Sequence, residues 1–275
     1  MISVLKICTK DQKGLIYRIS DVIFKYHINI VKNDEFVGEE MFFFRAILEG
    51  EFDKKAFVGT LEAMLGEEAY IELCEKRKKD IIVFATKESH CLGDLLIKYY
   101  SNELEANIKA VISNHDTLKN LVEKFEIPYH CISAENLKRE EQEKQVLECL
   151  KEYQFDYLVL AKYMRILSPD FVKHFEGKIV NIHHSFLPAF VGANPYKQAF
   201  ERGVKIIGAT AHFVNNNLDE GPIITQAVLP VSHEYTWQDM QQAGRNVEKN
   251  VLSKALDLVF DDRIFIHKNK TIIFC

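Results

Sequence analysis

Short apolar runs alternate with helix-compatible stretches from residue 81 onward, and this alternation constrains the fold more than any other feature. The runs are rich in Val and Ile and apolar at nearly every position, as in strands of a parallel sheet covered on both faces. The pattern therefore predicts an α/β fold with a doubly wound, mostly parallel sheet. The runs are IIVFAT (81–86), NIKAVIS (107–113), DYLVLAKY (156–163) and KIVNIH (178–183), and the helical stretches are 91–101, 116–125 and 138–152.

Two further strands follow, at 205–214 and 223–231. Their connection, 215–222, is too short for a helical crossover, so we expect this pair to be antiparallel. Thr236 and Asp239 then have the spacing of a capping box, which predicts the start of a long helix. The last run, RIFIHKNKTIIF, predicts a hairpin.

Residues 1–76 have a different organisation, in which strand-like and helix-like segments follow the order βαββαβ. This order is that of a ferredoxin-like domain. The charged stretch 77–80 is interpreted as a solvated linker and 81–275 as a second domain. Phe42, Phe43 and Phe44 alternate across one strand, so they are expected to fill a core and a contact between the sheet and a partner, with a cofactor pocket as the alternative.

The composition excludes several classes of protein. The net charge of −5 over 275 residues gives no general attraction to nucleic acid. No apolar run reaches the ~20 residues of a membrane span, and the first residues do not resemble a secretory signal. The six cysteines contain no C-x-x-C pair, which favours free thiols in a reducing, cytoplasmic compartment.

Asn181 and His183 lie two residues apart at the end of a predicted strand, so both side chains share one face. Asp219 follows in a loop before Gly-Pro. An amide donor, an imidazole and a carboxylate suit nucleophilic attack at a carbonyl carbon. A hydrogen-bonded structural pair and a simple turn aspartate explain the same residues equally well. His212 reads as a buried, hydrogen-bonded histidine, and His184 faces away from His183 if the strand continues, which argues against a metal site.

The order and spacing of motifs between residues 181 and 222 closely resemble the formyltransferase family that uses 10-formyltetrahydrofolate. This resemblance implies that Asn181, His183 and Asp219 are catalytic. It also implies that the folate is held by Met164, Arg165, Ile166 and Leu167, and by Asn215, Asn216, Asn217 and Leu218; core packing is the alternative for the apolar residues of the first group. The matching elements are Asn181-Ile182-His183, Ser185-Phe186-Leu187-Pro188, Gly208-Ala209-Thr210, His212-Phe213-Val214 and Asp219-Glu220-Gly221-Pro222-Ile223-Ile224.

Within that family the whole chain is most similar to the formyltetrahydrofolate deformylases, which carry an N-terminal ACT domain. The resemblance implies hydrolysis to tetrahydrofolate and formate, with a role in formate supply for purine biosynthesis and in folate balance. It implies no metal and no cofactor beyond the folate substrate. The further similar segments are 87–96, 114–118, 161–165 and 243–252.

An ACT domain implies regulation, with Asp11, Gly14 and Leu15 as the effector turn, glycine or methionine as effector, and a homo-oligomer as the assembly. Two alternative functions are formyl transfer to an amine such as glycinamide ribonucleotide and a folate-binding regulator without activity. Segment 86–94 and His184 depart from the transferase pattern. They are therefore the candidates for the choice between water and an amine, with packing as their alternative role.

Overall fold

The computed structural model describes residues 1–189 and 194–274, which form two compact units. The first unit contains residues 1–77 together with two C-terminal segments, 261–265 and 272–274. The second contains residues 78–260 and 266–271. The sequence-based division did not assign the C-terminal segments to the first unit. No helix in the described ranges is both long and apolar enough to cross a membrane.

The first unit is a four-stranded antiparallel sheet with two helices on one face, so the predicted βαββαβ order is confirmed. The strand order is β2-β3-β1-β4. Leu5, Ile7 and Phe44 on the sheet pack with Ile19 and Phe57 on the helices to form its core. The elements are β1 Ile2–Lys10, α1 Leu15–Lys25, β2 Asn29–Gly38, β3 Met41–Glu49, α2 Lys54–Leu65 and β4 Tyr70–Glu75.

Strand β3 explains why the C-terminal segments join the first unit. Phe42 and Phe44 face the helices, whereas Phe43 faces the other side of the sheet and packs on Phe265 and Phe274. Arg45 donates from Nε to the backbone carbonyl of Asp262 at 3.0 Å. These contacts are distant in sequence, and a strand pattern alone does not reveal them.

The second unit is a seven-stranded sheet in the order β11-β10-β9-β8-β5-β6-β7. Strands β5 to β9 are parallel, while β10 pairs antiparallel with both β9 and β11. The predicted doubly wound sheet and the antiparallel pair are confirmed. The elements are β5 Lys79–Ala85, α3 His90–Tyr100, β6 Ala106–Ser113, a 3₁₀ turn Asp116–Leu118, α4 Lys119–Glu123, β7 Tyr129–Cys131, α5 Arg139–Leu150, β8 Tyr157–Leu160, α6 Pro169–His174, β9 Ile179–His183, α7 Pro195–Glu201, β10 Ile206–Phe213, β11 Ile223–Pro230 and α8 Trp237–Phe260.

A hairpin, β12 Ile264–His267 and β13 Lys270–Ile273, ends the described chain as the sequence predicts.

The chain leaves β5 toward β6 and β7, then returns to place β8 on the other side of β5. Such a reversal opens a crevice at the carboxyl ends of the two central strands, where α/β sheets bind ligands. Strand β8 ends at Leu160, earlier than predicted, because residues 161–168 form a loop over this edge. Strand β5 begins at Lys79, so only residues 76–78 separate it from β4.

Candidate active site

A cavity of about 460 Å³ lies at the carboxyl edge of the central sheet. Strand β9 contributes Asn181 and His183 to its wall, and the loop after β10 contributes Asp219. Asn181 and His183 lie on one face of the strand, as their spacing predicts. The three residues proposed from the sequence are therefore brought together in one place.

His183 and Asp219 form a buried pair. The imidazole Nδ1 lies 3.3 Å from the carboxylate Oδ1, and both side chains are at most one-tenth exposed. The other ring nitrogen, Nε2, is buried and has no hydrogen-bond partner in the described chain. An orphaned polar atom of this kind requires an explanation, and a bound substrate that supplies the partner is one.

The electrostatics of the pair favour an ionised carboxylate. Burial opposes the charge on Asp219, but the hydrogen bond from His183 and the neighbouring imidazoles outweigh it and hold its pKa below the usual value. Asp219 is thus a negative charge set at the wall of a largely apolar cavity.

The backbone of the loop after β10 determines where the Asp219 carboxylate lies. Asp219 adopts a left-handed conformation with φ 57°, which Asp tolerates better than most residues. Gly221 then crosses close to the backbone of β10, where an added Cβ would lie 1.7 Å from the carbonyl oxygen of Phe213. Pro222 accepts a hydrogen bond from Phe213 N at 2.9 Å. Close packing behind the site therefore requires glycine at position 221.

His212 is a site residue that the sequence analysis assigned only to the core. It lies directly opposite Asn181 in the β9–β10 ladder and is 2% exposed. Its Nδ1 donates to the carbonyl of Phe213 at 2.8 Å, so Nε2 is free to accept from the Asn181 amide at 3.1 Å. Burial lowers the pKa of His212, which keeps the ring neutral. His212 therefore fixes which way the Asn181 amide points.

The residues that the resemblance assigned to folate binding line the same cavity. Met164 and Ile166 are more than half exposed, so core packing is not their role, whereas Leu167 packs against the core beside them. The backbone N–H of Met164 donates to Thr86 Oγ1 at 3.0 Å, which ties this loop to the end of β5. Arg139, at the start of α5, also lines the cavity and had no signal in the sequence.

The opposite wall is the loop that carries Asp219, and its own asparagines hold its shape. Asn215 Oδ1 accepts from Asn217 N at 3.0 Å, and Asn217 Nδ2 donates to Glu220 Oε2 at 3.0 Å. Asn216 and Leu218 are exposed. Two of these side chains are thus engaged within the loop, whereas those of Asn216 and Leu218 are available at the cavity wall.

His184 does not point away from His183, because strand β9 ends at His183. The two rings lie 5.2 Å apart, and the His184 ring is 6.0 Å from that of Tyr196. Burial and the nearby charge of Lys162 lower the pKa of His184 to about 3.

The turn proposed as an effector site lies in the first unit. Gly14 is left-handed, with φ 83°, and precedes helix α1. Asp11 and Gly14 are exposed, whereas Leu15 is 3% exposed and belongs to the core.

Comparison with known proteins identifies the family of the chain. Residues 79–256 match the family model described as formyl transferase. The chain is 54% identical over 272 residues to formyltetrahydrofolate deformylase of Escherichia coli strain K12, covering 98% of this chain and 97% of that one. A formyltetrahydrofolate deformylase from Pseudomonas syringae pv. tomato is 37% identical with a TM-score of 0.95, covering 100% of this chain and 94% of the other.

The fold is thus that of the formyl transferase class. Within it, the chain belongs to the formyltetrahydrofolate deformylase family. A glycinamide ribonucleotide transformylase from Symbiobacterium toebii, 28% identical with a TM-score of 0.70, covers 74% of this chain and 97% of its own. The catalytic fold is therefore shared between enzymes named for hydrolysis and enzymes named for transfer.

Proposed function

We propose that this protein hydrolyses 10-formyltetrahydrofolate to tetrahydrofolate and formate. The observation that carries the proposal is the His183 ring, held at Nδ1 by Asp219 while its buried Nε2 has no partner. Asn181 stands on the same strand face with its amide oriented by His212. Together they form a preorganised donor set around one point of an apolar cavity.

The reaction begins when a water molecule attacks the formyl carbon. The second N–H of Asn181, which His212 does not use, donates to the developing oxyanion. An imidazolium at His183 would donate to the same oxygen from Nε2. Asp219 takes the proton of the attacking water through Oδ2, directly or through a further water, since Oδ1 faces the two imidazoles.

The intermediate then collapses as the bond between the formyl carbon and N10 breaks. N10 receives a proton relayed by the His183–Asp219 pair and leaves as the secondary amine of tetrahydrofolate. The carbon leaves as formate, so one water is consumed and one proton is released at neutral pH. No step requires a metal or a cofactor besides the folate.

The cavity suits the shape and charge of a folate. Met164, Ile166 and Leu218 supply exposed apolar surface for a flat ring system. Arg139 and Arg165 line the same cavity and are suited to a carboxylate of the glutamate tail. A folate bound from this side would bring its formyl group against β9.

The first unit is proposed to be an ACT-like regulatory domain that senses glycine or methionine at the exposed turn of Asp11 and Gly14. We also propose a homo-oligomer assembled partly through residues 1–76. Exposed apolar side chains on α1, Tyr17 and Phe24, support this assembly because each is 75% exposed. A second copy of the chain would cover them. Light scattering at micromolar concentration tests the assembly, and a monomer would contradict it.

A cytoplasmic location fits the cysteines, since no disulfide joins the five described ones, Cys8, Cys74, Cys91, Cys131 and Cys149. In that compartment the reaction would supply formate for purine biosynthesis and balance the pools of one-carbon folates.

Formate release tests the proposed reaction directly. Purified protein is incubated with 10-formyltetrahydrofolate and no amine acceptor, and formate is quantified enzymatically. Release without acceptor is expected, and Asn181→Ala should lower it by roughly 10²–10³ because an oxyanion donor is lost. Formyl transfer only when glycinamide ribonucleotide is added would indicate the transferase instead. Binding of the folate without turnover would indicate a regulator.

A further inference from the structure

A second cluster of buried ionisable groups adjoins the active site and has no part in the mechanism above. Glu248 on α8 is 1% exposed and lies at its centre. It accepts hydrogen bonds from Tyr196 Oη at 2.5 Å and pairs with His90 Nε2 at 2.8 Å. The ammonium of Lys162, 3% exposed, lies 3.3 Å from the same carboxylate. Three side chains from separate parts of the second unit thus converge on one carboxylate.

The position of Lys162 is unfavourable in two ways. Its backbone is left-handed, with φ 63°, a conformation in which glycine has no steric penalty and other residues have one. Its charge is also removed from water, and a buried ion pair seldom repays that desolvation in full. Strain and burial at a single residue beside a reaction centre indicate that its side chain has a function.

The cluster around Glu248 reaches the wall of the active-site cavity. Lys162 and His184 both line the active-site cavity. His184 stands between the ring of His183, 5.2 Å away, and that of Tyr196, 6.0 Å away. On this side of His183 the space is therefore filled by His184 and by Tyr196, which is hydrogen-bonded to Glu248.

A metal ion is a poor explanation for the cluster. His90, Cys91 and Glu248 do place potential ligand atoms within 4.8 Å of one another. However, burial raises the pKa of the Cys91 thiol, which disfavours the thiolate that a metal requires. Lys162 also supplies a positive charge to the carboxylate that a cation would need. The cluster is therefore better explained as an ion pair between Lys162 and Glu248 that holds the Lys162 side chain in a fixed position.

We infer that Lys162, supported by Glu248 and Tyr196, is a specificity-determining residue that fills the acceptor side of the reaction centre. Water is small enough to reach the formyl carbon, whereas an amine acceptor would need the volume that the Lys162 side chain takes. The inference rests on the proposed function. It also gives His184 and segment 86–94, which contains His90, a shared role in the choice between hydrolysis and transfer.

The chemistry of the two outcomes differs only in the nucleophile. With water, a C–O bond forms, the C–N10 bond breaks, and formate leaves. With a primary amine, a C–N bond forms, the C–N10 bond breaks, and an N-formyl amide leaves while N10 takes the proton that the amine loses. No oxidant or second cofactor enters either reaction.

The test is the partition of the formyl group in Lys162→Gly. The variant removes the side chain and suits the left-handed backbone. The full-length enzyme is incubated with 10-formyltetrahydrofolate and excess glycinamide, and formate and N-formylglycinamide are quantified by mass spectrometry. The ratio of formyl amide to formate should rise at least about tenfold over wild type, the scale of discrimination that a few methylenes give in a pocket.

Two further variants distinguish the effect of the Lys162 side-chain volume from the effects of its charge and of misfolding. Lys162→Met keeps the length of the side chain and should retain the wild-type ratio. Lys162→Gly with Glu248→Gln removes both charges, so no buried carboxylate is left unpaired, and should raise the ratio as the single variant does. A merely structural cluster would lower both products together and leave their ratio unchanged.

An unchanged ratio in the two glycine variants, with folate binding intact, overturns the inference. So does a ratio in Lys162→Met that equals that of Lys162→Gly. Failure of the proposed function is a distinct result, because it appears as an absence of formate from the wild-type enzyme without any acceptor.

Discussion

His212 offers the most informative single perturbation, because it acts on the reaction only through Asn181. Replacing it with Phe keeps an aromatic ring but removes two hydrogen bonds, one to the Phe213 carbonyl at 2.8 Å and one from the Asn181 amide at 3.1 Å. Asn181 is then free to rotate away from the oxyanion. A net hydrogen bond contributes about 1 kcal/mol, which corresponds to a five- to tenfold loss in kcat, since about 1.4 kcal/mol is tenfold. KM should change less, because the folate contacts are elsewhere.

Stability should fall as well. Two polar groups lose their partners, at about 1–3 kcal/mol each, so urea denaturation should show a loss of about 2–6 kcal/mol. His130→Phe is the matched control. It removes a histidine hydrogen bond to Tyr153 Oη at 2.6 Å, outside the cavity, and should lower stability without lowering kcat.

A double-mutant cycle with Asn181→Ala decides whether His212 acts as proposed. If its role is to orient the amide, His212→Phe should cost less than about twofold once the amide is gone. An equal loss in both backgrounds, or an unchanged kcat in the folded single variant, would refute the reasoning.

Two further predictions concern stability. His184 and His212 have pKa values lowered by burial, to about 3 for His184, so below pH 6.5 the unfolded chain binds protons that the folded chain does not. Stability should therefore fall between about pH 6.5 and 5, by up to 1.4 kcal/mol per pH unit for each histidine. His184→Gln should reduce the slope seen in urea titrations, and an identical slope would contradict the assignment. Gly244→Ala should be destabilising by about 1–3 kcal/mol, because its Cβ would lie 2.1 Å from Tyr196 Oη. Gly93→Ala, also helical but with nothing within 4 Å, should stabilise by about 0.5–1 kcal/mol. Equal effects of the two glycine substitutions in thermal melts would contradict the packing argument.

The sheet of the second unit was predictable because strands covered on both faces are apolar throughout, and the order of the first unit followed from its periodicity. The capping box at Thr236 and Asp239 was also correct, with reciprocal hydrogen bonds of 2.9 and 3.2 Å. Strand β7 and helices α6 and α7 were missed, because three to seven residues are too few to establish a period.

The site was predictable in part. The two-residue spacing of Asn181 and His183 places them on one face, and the resemblance named Asp219, whose carboxylate lies within direct reach of the imidazole. His212 was assigned to the core because it lies inside a predicted strand, and it is indeed buried. Its contact with Asn181 follows only from the pairing of β9 with β10. Lys162 was assigned to the end of the predicted strand 156–163. The left-handed backbone at this residue cannot be inferred from the order of apolar and polar residues.

The central claim is that Asn181, His183 and Asp219 act together on the formyl carbon, and the kcat of Asp219→Asn tests it most directly. Asn can still accept a hydrogen bond from His183 but cannot take a proton from water. Formate release should fall by roughly 10²–10⁴, the usual contribution of a general base, with folate affinity retained, whereas the exposed control Asp116→Asn should keep wild-type turnover. A folded Asp219→Asn enzyme that releases formate at nearly the wild-type rate would contradict the account.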